Sequence, residues 1–286
     1  MQILHNYRHD KTLRDSFNAL AEATFGLNFE TWYQNGFWGD NYDPWSVVID
    51  GRVVANVSLN RTDLVIGGQR RCIYQLGTVM TAPEYRGQGL SRAIMEALEP
   101  VLSQADGVYL FGNDSVLDFY PKFGFTRTRE FLYHRSVSQT GDNRMVNVPM
   151  DGPDGWNRLK QAMEQDRFPG GCRMTDNPGL IFFYVSQFMQ GCVFRCEDLD
   201  VWAIAELEDG ELTLHNVFSP APVSLDSVIA AFGSTVTRVT LGFTPADPTG
   251  FDCREFHEED CTFFTRGQGF GDFEGRKLRI PTLSHA

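Results

Sequence analysis

Gln75-Leu-Gly-Thr-Val-Met-Thr-Ala-Pro-Glu-Tyr-Arg-Gly-Gln-Gly-Leu-Ser-Arg92 passes from a β-branched run through a glycine-rich turn into an amphipathic segment. Leu90, Ile94, Ala97, Leu98, Val101 and Leu102 fall on one stripe, while Arg92, Glu96 and Glu99 lie off it, so the spacing predicts a helix after Pro83. The first amides of a helix have no intrahelical acceptor and sit at the positive end of its dipole. Glycines at 87 and 89 let a ligand approach that backbone, and Arg86 and Arg92 add charge. The run lacks the Gly-x-x-x-x-Gly-Lys-[Ser/Thr] of a nucleotide P-loop and the Gly-x-Gly-x-x-Gly of a dinucleotide fold, which leaves a coenzyme pyrophosphate as its natural guest.

Upstream, residues 11–26 carry a helical stripe ended by Gly26. A meander follows: 46–49, an Asp50-Gly51 turn, 52–60, 63–66, a Gly67-Gly68 turn, then 70–81. Downstream, 108–111 is a short strand, Asn113 or Asp114 can cap a helix over 115–122, and 125–137 reads as one strand. The loop-like stretch 139–156 marks a boundary. Beyond it come a helix over 156–165, a hairpin of 201–207 and 211–218 across Asp209-Gly210, a helix over 225–232 and a strand over 236–243. This order echoes the first half without its best helix.

Around the opening segment the chain resembles the GNAT superfamily of acyl-CoA-dependent N-acyltransferases, whose signature is [Gln/Arg]-x-x-Gly-x-[Gly/Ala] between a strand and a helix. Arg86, Gly89 and Ser91 take the three defined positions, with Ser91 departing from Gly/Ala while staying small. Phe111-Gly-Asn113 followed by Asp118-Phe-Tyr120-Pro-Lys-Phe-Gly-Phe125 is similar to the family's second coenzyme motif. The resemblance covers residues 1 to about 135 and implies an α/β (α+β) GNAT fold: a mixed, mostly antiparallel, twisted sheet flanked by helices. With the loop-like stretch as boundary, the chain divides into a GNAT domain, 1–138, and, by its echoing element order, a degenerate GNAT-like domain, 139–286, without a coenzyme site.

The resemblance also implies roles. The backbone of Val79, Met80 and Thr81 pairs with the pantetheine arm of acetyl-CoA, and an N–H there polarises the thioester carbonyl. Residues Arg86, Gly87, Gln88, Gly89, Leu90, Ser91 and Arg92 hold the pyrophosphate, Asn113 meets the pantetheine, and Tyr120 lies near the sulfur. A phenol of reference pKa ~10 can protonate the thiolate that an attacking amine expels. The general base is not legible. Where some family members place a strand glutamate this chain has Gln75, which leaves Glu22, Glu30, Asp114, Glu84 or the terminus Pro281–Ala286, since proteins of the enhanced-intracellular-survival type use a C-terminal carboxylate.

Trp32, Tyr33, Phe37, Trp38, Tyr42 and Trp45 are clustered too irregularly for one amphipathic helix and read equally as core or as an acceptor wall. Trp32, Tyr33, Phe37 and Trp38 are the substrate-binding candidates, the two tryptophans suited to cation–π contact. Across 286 residues there are 25 Lys+Arg and 37 Asp+Glu, a net charge of −12. Residues 141–286 carry 22 of those acids against 12 bases, which disfavours nucleic acid and bilayer headgroups and favours a cationic small molecule. No apolar run reaches the ~20 residues of a membrane span, and His5 to His9 stand where a secretory signal needs an apolar core, so a cytoplasmic protein is expected.

Six cysteines are too sparse for a disulfide framework; Cys192, Cys196, Cys253 and His257 could in principle ligate zinc, but their three-residue spacings lack a tight knuckle, and no metal is expected. Arg266-Gly-Gln-Gly-Phe-Gly271 fits the signature better than Arg86–Ser91, yet Gly275 and Pro281 follow it with no helical stripe, so it is rejected as a second coenzyme site. The reading is an acetyl-CoA-dependent N-acetyltransferase acting directly on the primary amine of a small, cationic acceptor. The alternative is a catalytically idle acyl-CoA-binding regulatory or interaction module. The acceptor, the acyl length and assembly into a homo-oligomer stay open.

Overall fold

A computed structural model describes residues 2–138 and 141–285. Helix Lys11–Phe25 starts where the Asp10 carboxylate accepts from the Thr12 and Leu13 amides, and stops at Gly26, whose left-handed φ of 69° lets its N–H reach the Glu22 carbonyl. Its stripe packs Phe17, Leu20 and Ala21 against Phe29, Trp32 and Trp38.

Two seven-stranded sheets carry the fold. The first runs in the order Gln2–Leu4, Tyr42–Ile49, Arg52–Arg61, Ile73–Thr81, Gly107–Gly112, Thr262–Arg266, Thr126–Arg127. Every neighbouring pair is antiparallel except Ile73–Thr81 with Gly107–Gly112. Helix Leu90–Leu102 bridges that parallel pair, as a parallel connection requires. Its Leu90, Ile94, Met95, Leu98 and Leu102 side chains enter the sheet's core.

The second sheet repeats the pattern: Val146–Asn147, Val193–Cys196, Val201–Glu208, Glu211–Phe218, Arg238–Leu241, Glu130–Ser136, Asp252–Phe256. Again only the fourth and fifth strands are parallel, joined through helix Leu225–Ala230. The sixth strand of each sheet comes from the other half of the chain. Sheet membership therefore crosses the expected division at 138/139: Glu130–Ser136 completes the second sheet and Thr262–Arg266 the first. The exchange covers the edges of Gly107–Gly112 and Arg238–Leu241, whose backbone groups would otherwise lack ladder partners.

A four-stranded sheet ties the halves further, with hairpin Leu64–Ile66/Gln69–Arg71 set against Gly170–Met174 and Thr244–Pro245. Several expectations need correction. The strand over 125–137 is broken into Thr126–Arg127 and Glu130–Ser136, because its two parts serve different sheets. The strand over 70–81 is likewise divided at Cys72. No α-helix forms over 115–122; 3₁₀ turns Asp114–Val116 and Tyr120–Phe123 stand there, with Pro121 unable to supply an amide to a longer ladder. Helix Pro178–Gln187 escaped the sequence reading because Leu180, Ile181, Phe182, Phe183 and Val185 are all buried, and an element apolar all round has no stripe to detect.

Candidate functional site at the splayed parallel strands

Ile73–Thr81 and Gly107–Gly112 pair only from Ile73↔Gly107 to Leu76↔Leu110. Past Leu76 they part, and the main chain of 77–81 keeps its partner only on the other side, in Arg52–Arg61. The cause is a bulge: the register slips between Asn56↔Met80 and Ser58↔Gly77, and Thr78 adopts a left-handed φ of 46°. A non-glycine residue holds that conformation where its surroundings impose it. Here Asn56 Nδ2 donates to the Thr78 carbonyl at 2.9 Å, and Thr78 Oγ1 is hydrogen-bonded to the Tyr42 hydroxyl. Asn56 is held in turn by Ser46 and Ser58, and Ser46 by Tyr7, so a buried polar chain anchors the bulge from below.

The parting opens a cleft of about 890 Å³. One wall is Leu76–Thr81 with Arg86 and Ser91; the other is Phe111, Gly112, Asn113 and Ser115 to Tyr120 by way of Val116 and Phe119; Asp260 and Cys261, from the second half, also line it. At its mouth helix Leu90–Leu102 begins on Gly89 with no side chain capping its first amides. Gly87 and Gly89 have φ of 74° and 76°, and a Cβ at either would meet nothing within 4 Å, so this turn faces open space. The glycines satisfy backbone geometry and leave an uncapped, electropositive helix start at the cleft, the arrangement that suits a diphosphate.

The sequence-predicted residues divide accordingly. Val79, Met80, Thr81, Arg86, Ser91, Asn113 and Tyr120 line one cleft. Arg86 Nε donates to the Thr81 carbonyl and Thr81 Oγ1 meets Ser91 Oγ at 3.0 Å, fastening the glycine turn to the strand end. Gln88 donates to the Glu84 carbonyl, Leu90 buries its side chain in the core so that only its amide can serve a ligand, and the Arg92 guanidinium lies 5.7 Å from the Phe123 ring centroid. Asn113 Oδ1 accepts from the Ser115 amide and hydroxyl, which fixes its side chain at the cleft wall.

Tyr120 is buried on the wall facing 77–81, and desolvation pushes its phenol up to about 12. Its ring lies against Gly112, where a Cβ would come within 2.9 Å of Cε2, and packs on Phe264 with centroids 5.5 Å apart. Phe264 belongs to the inserted strand, so the second half positions the tyrosine.

The four aromatic candidates separate. Trp38 is a core residue enclosed by Phe17, Phe29, Trp32 and Tyr42, its indole N–H given to the Tyr42 carbonyl, so it offers no face to a substrate. Tyr33 stacks under the Arg14 guanidinium and Phe37 packs on Trp156 and Phe182, away from the cleft. Trp32 lines a smaller pocket of about 120 Å³ with Phe25, Leu27, Phe29, Tyr42, Thr78, Leu180 and Phe183. That pocket shares Phe25 and Thr78 with the large cleft.

Among the base candidates, Glu30 is paired with Arg14 at 2.8 Å and Glu84 with Arg52 at 3.0 Å, and neither these nor Glu22 or Asp114 lines the cleft. The tail is drawn inward: Tyr109 donates to the Ser284 carbonyl, Tyr184 to the His285 carbonyl, and the His285 ring stacks on Phe111 at 3.8 Å. Burial pushes the His285 imidazole down to about 3, which keeps it neutral. Ala286 lies outside the described residues.

Among the described residues no group of three or more His, Cys, Asp and Glu is placed to hold a metal. Cys196 and Cys253 sit on strands with four others between them in the sheet. The second signature-like run, 266–271, leads from strand Thr262–Arg266 into a 3₁₀ turn. Its Gly267 and Gly269 allow close approach to the Asp106 carbonyl, where a Cβ would meet that oxygen at 2.7 and 2.9 Å. Among the described residues no helix is long and apolar enough to cross a membrane.

Residues 9–128 match the model of the acetyltransferase (GNAT) domain. A stretch of 49 residues is 45% identical to GCN5-related N-acetyltransferase 2, chloroplastic, of Arabidopsis thaliana, spanning 16% of this chain and 19% of that protein. The fold is similar to a probable N-acyltransferase of Enterococcus faecalis (TM-score 0.59, 13% identity, 94% of this chain and 74% of that one). It is similar also to Eis1 of Mycobacterium abscessus (TM-score 0.58, 12% identity, 97% and 76%). A GCN5-related N-acetyltransferase of Kribbella flavida aligns with a TM-score of 0.55 at 18% identity over 94% and 72% of the two chains. Over residues 9–128 the chain is similar to the acetyltransferase (GNAT) domain, and its mixed, antiparallel-rich fold is the one expected.

Proposed function

We propose that the protein is an acetyl-CoA-dependent N-acetyltransferase that moves an acetyl group directly to the primary amine of a small acceptor, in the cytoplasm. The observation that carries this reading is the cleft between the parted strands, with an uncapped helix start at its mouth and Tyr120 opposite the main chain of 77–81. Coenzyme A would lay its diphosphate on the amides after Gly87 and Gly89 and run its pantetheine beside Val79–Thr81. A backbone N–H of that strand would then face the thioester carbonyl and stabilise the oxyanion formed on attack.

Collapse of the tetrahedral intermediate breaks the carbon–sulfur bond and sends the electron pair to sulfur. Tyr120 would hand its proton to that thiolate, and the phenolate so formed would recover the proton that the attacking nitrogen sheds, which leaves the amide, the free thiol and the starting phenol. A phenol held near 12 is protonated throughout the neutral range and so carries the proton to be given. The GNAT-like second half would act through the strand it lends, since Phe264 sets the Tyr120 ring. Calorimetry with acetyl-CoA and thiol release over a panel of amines test the proposal. Binding without turnover on a broad panel would favour an idle acyl-CoA-binding module, a reading that Gln75 in place of a strand carboxylate keeps in view.

A further inference from the structure

The smaller pocket lies where the strands part. It opens at Thr78, the residue at the bulge, and Phe25 forms part of both its wall and the cleft's. A group seated in it therefore adjoins the point where a thioester beside Gly77–Thr81 would react. No carboxylate, lysine, arginine or histidine lines it. Its polar atoms are already engaged, with the Trp32 indole N–H on the Gly179 carbonyl at 2.7 Å and the Tyr42 hydroxyl on Thr78 Oγ1. What remains is an apolar wall of phenylalanines and leucines from two helices and the loop after the first, with the Trp32 ring from a third helix.

Of the four large apolar side chains that stand exposed among the described residues, one lines this pocket and another touches a residue of its wall. Phe25 is 45% exposed at the junction, and Phe188, 61% exposed and outside the lining, packs edge-on to the wall residue Phe183. An exposed aromatic on the wall of an apolar concave site marks a surface that an apolar ligand covers. The volume sets the ligand's size: an apolar cavity of about 150 Å³ takes up benzene, so about 120 Å³ suits one ring or a branched chain of similar bulk.

Resting on the transferase reading, we infer that this pocket receives the body of the acceptor, a primary amine carried on a single apolar ring or comparable branched chain. In this inference the acceptor's body carries no charge: no acidic residue of the second half lines the pocket, and Trp38 presents no face to it. An apolar wall also offers no counter-charge to an acceptor body that carries further ammonium groups, so a polyamine is disfavoured there.

The test uses the full chain. Coenzyme A binding is first measured by calorimetry, then thiol release with acetyl-CoA is followed for 2-phenylethylamine, n-propylamine and spermidine. Burying a ring predicts kcat/KM for 2-phenylethylamine about 10- to 100-fold above n-propylamine, with spermidine below both. Leu27→Glu, at a half-buried wall position, should cut that advantage about tenfold or more while coenzyme affinity stays within about twofold. A preference for spermidine, or no advantage for the ring, overturns the inference and leaves the transferase reading standing. Faster transfer from hexanoyl-CoA than from acetyl-CoA, lost in Leu27→Glu and without preference among the amines, assigns the pocket to the acyl chain and equally overturns it. Failure to bind coenzyme A removes the transferase reading itself, and this inference with it.

Discussion

Tyr120 rests on Phe264, their ring centroids 5.5 Å apart, although one belongs to the first half of the chain and the other to a strand that the second half lends to the first sheet. The proton donor proposed for the reaction is thereby held by residues remote in sequence. Phe264→Ala would open a cavity at a fully buried site and cost about 3–5 kcal/mol of stability. A drop in melting temperature with kcat falling more than the KM for acetyl-CoA rises is expected. Phe264→Leu should restore most of the melting temperature and less of kcat, because it fills volume without the aromatic face.

Tyr120→Phe removes the phenol and keeps the ring. Steady-state kinetics should show kcat lowered about 100-fold or more, the usual scale for losing a general acid, with calorimetric affinity for coenzyme A unchanged. Because the phenol titrates near 12, the wild-type rate should show no loss assignable to this residue up to about pH 10. A variant with full rate would remove the acid assignment.

Gly112→Ala adds a methyl within 2.9 Å of Tyr120 Cε2 and must displace the ring. Its expected signature is reduced kcat with coenzyme binding retained. Gly89→Asp acts on the other half of the site, placing a negative charge and a strained φ of 76° at the helix start. Calorimetry should find affinity for coenzyme A weakened about tenfold or more.

Glu130 is fully buried and accepts from the Ile280 amide at 2.8 Å; burial lifts its carboxyl to about 7, with nearby Arg279 opposing the shift. A carboxyl raised above its unfolded value near 4.3 binds its proton more readily in the folded state. Stability from this group is therefore present at low pH and is lost as pH rises from about 4.3 through about 7. Melting temperatures recorded between pH 5 and 8 should fall along that window. Glu130→Gln, which cannot titrate, should flatten the slope.

Much of the cleft was legible from local pattern. The stripe from Leu90 to Leu102, the two glycines before it and the order of the two motifs foretold a strand–turn–helix unit, and Arg86, Ser91, Asn113 and Tyr120 do line one cleft. Such features depend on residues close in sequence, where spacing and backbone preference act directly. The aromatic cluster was less readable: Trp32 and Trp38 stack 5.4 Å apart in one core cluster while Tyr33 and Phe37 pack against its outside, a split between core and rim that depends on what packs opposite.

Local chemistry was thus enough for the amphipathic helix, the glycine turn and the hairpins, because each is set by contacts within a few residues. The exchange of Glu130–Ser136 for Thr262–Arg266, the left-handed Thr78 and the pocket between Phe25 and Phe183 came only from the folded chain. A strand's alternation says that it will pair but not with which edge, and that choice is made by long-range closure of two sheets that neither half completes alone.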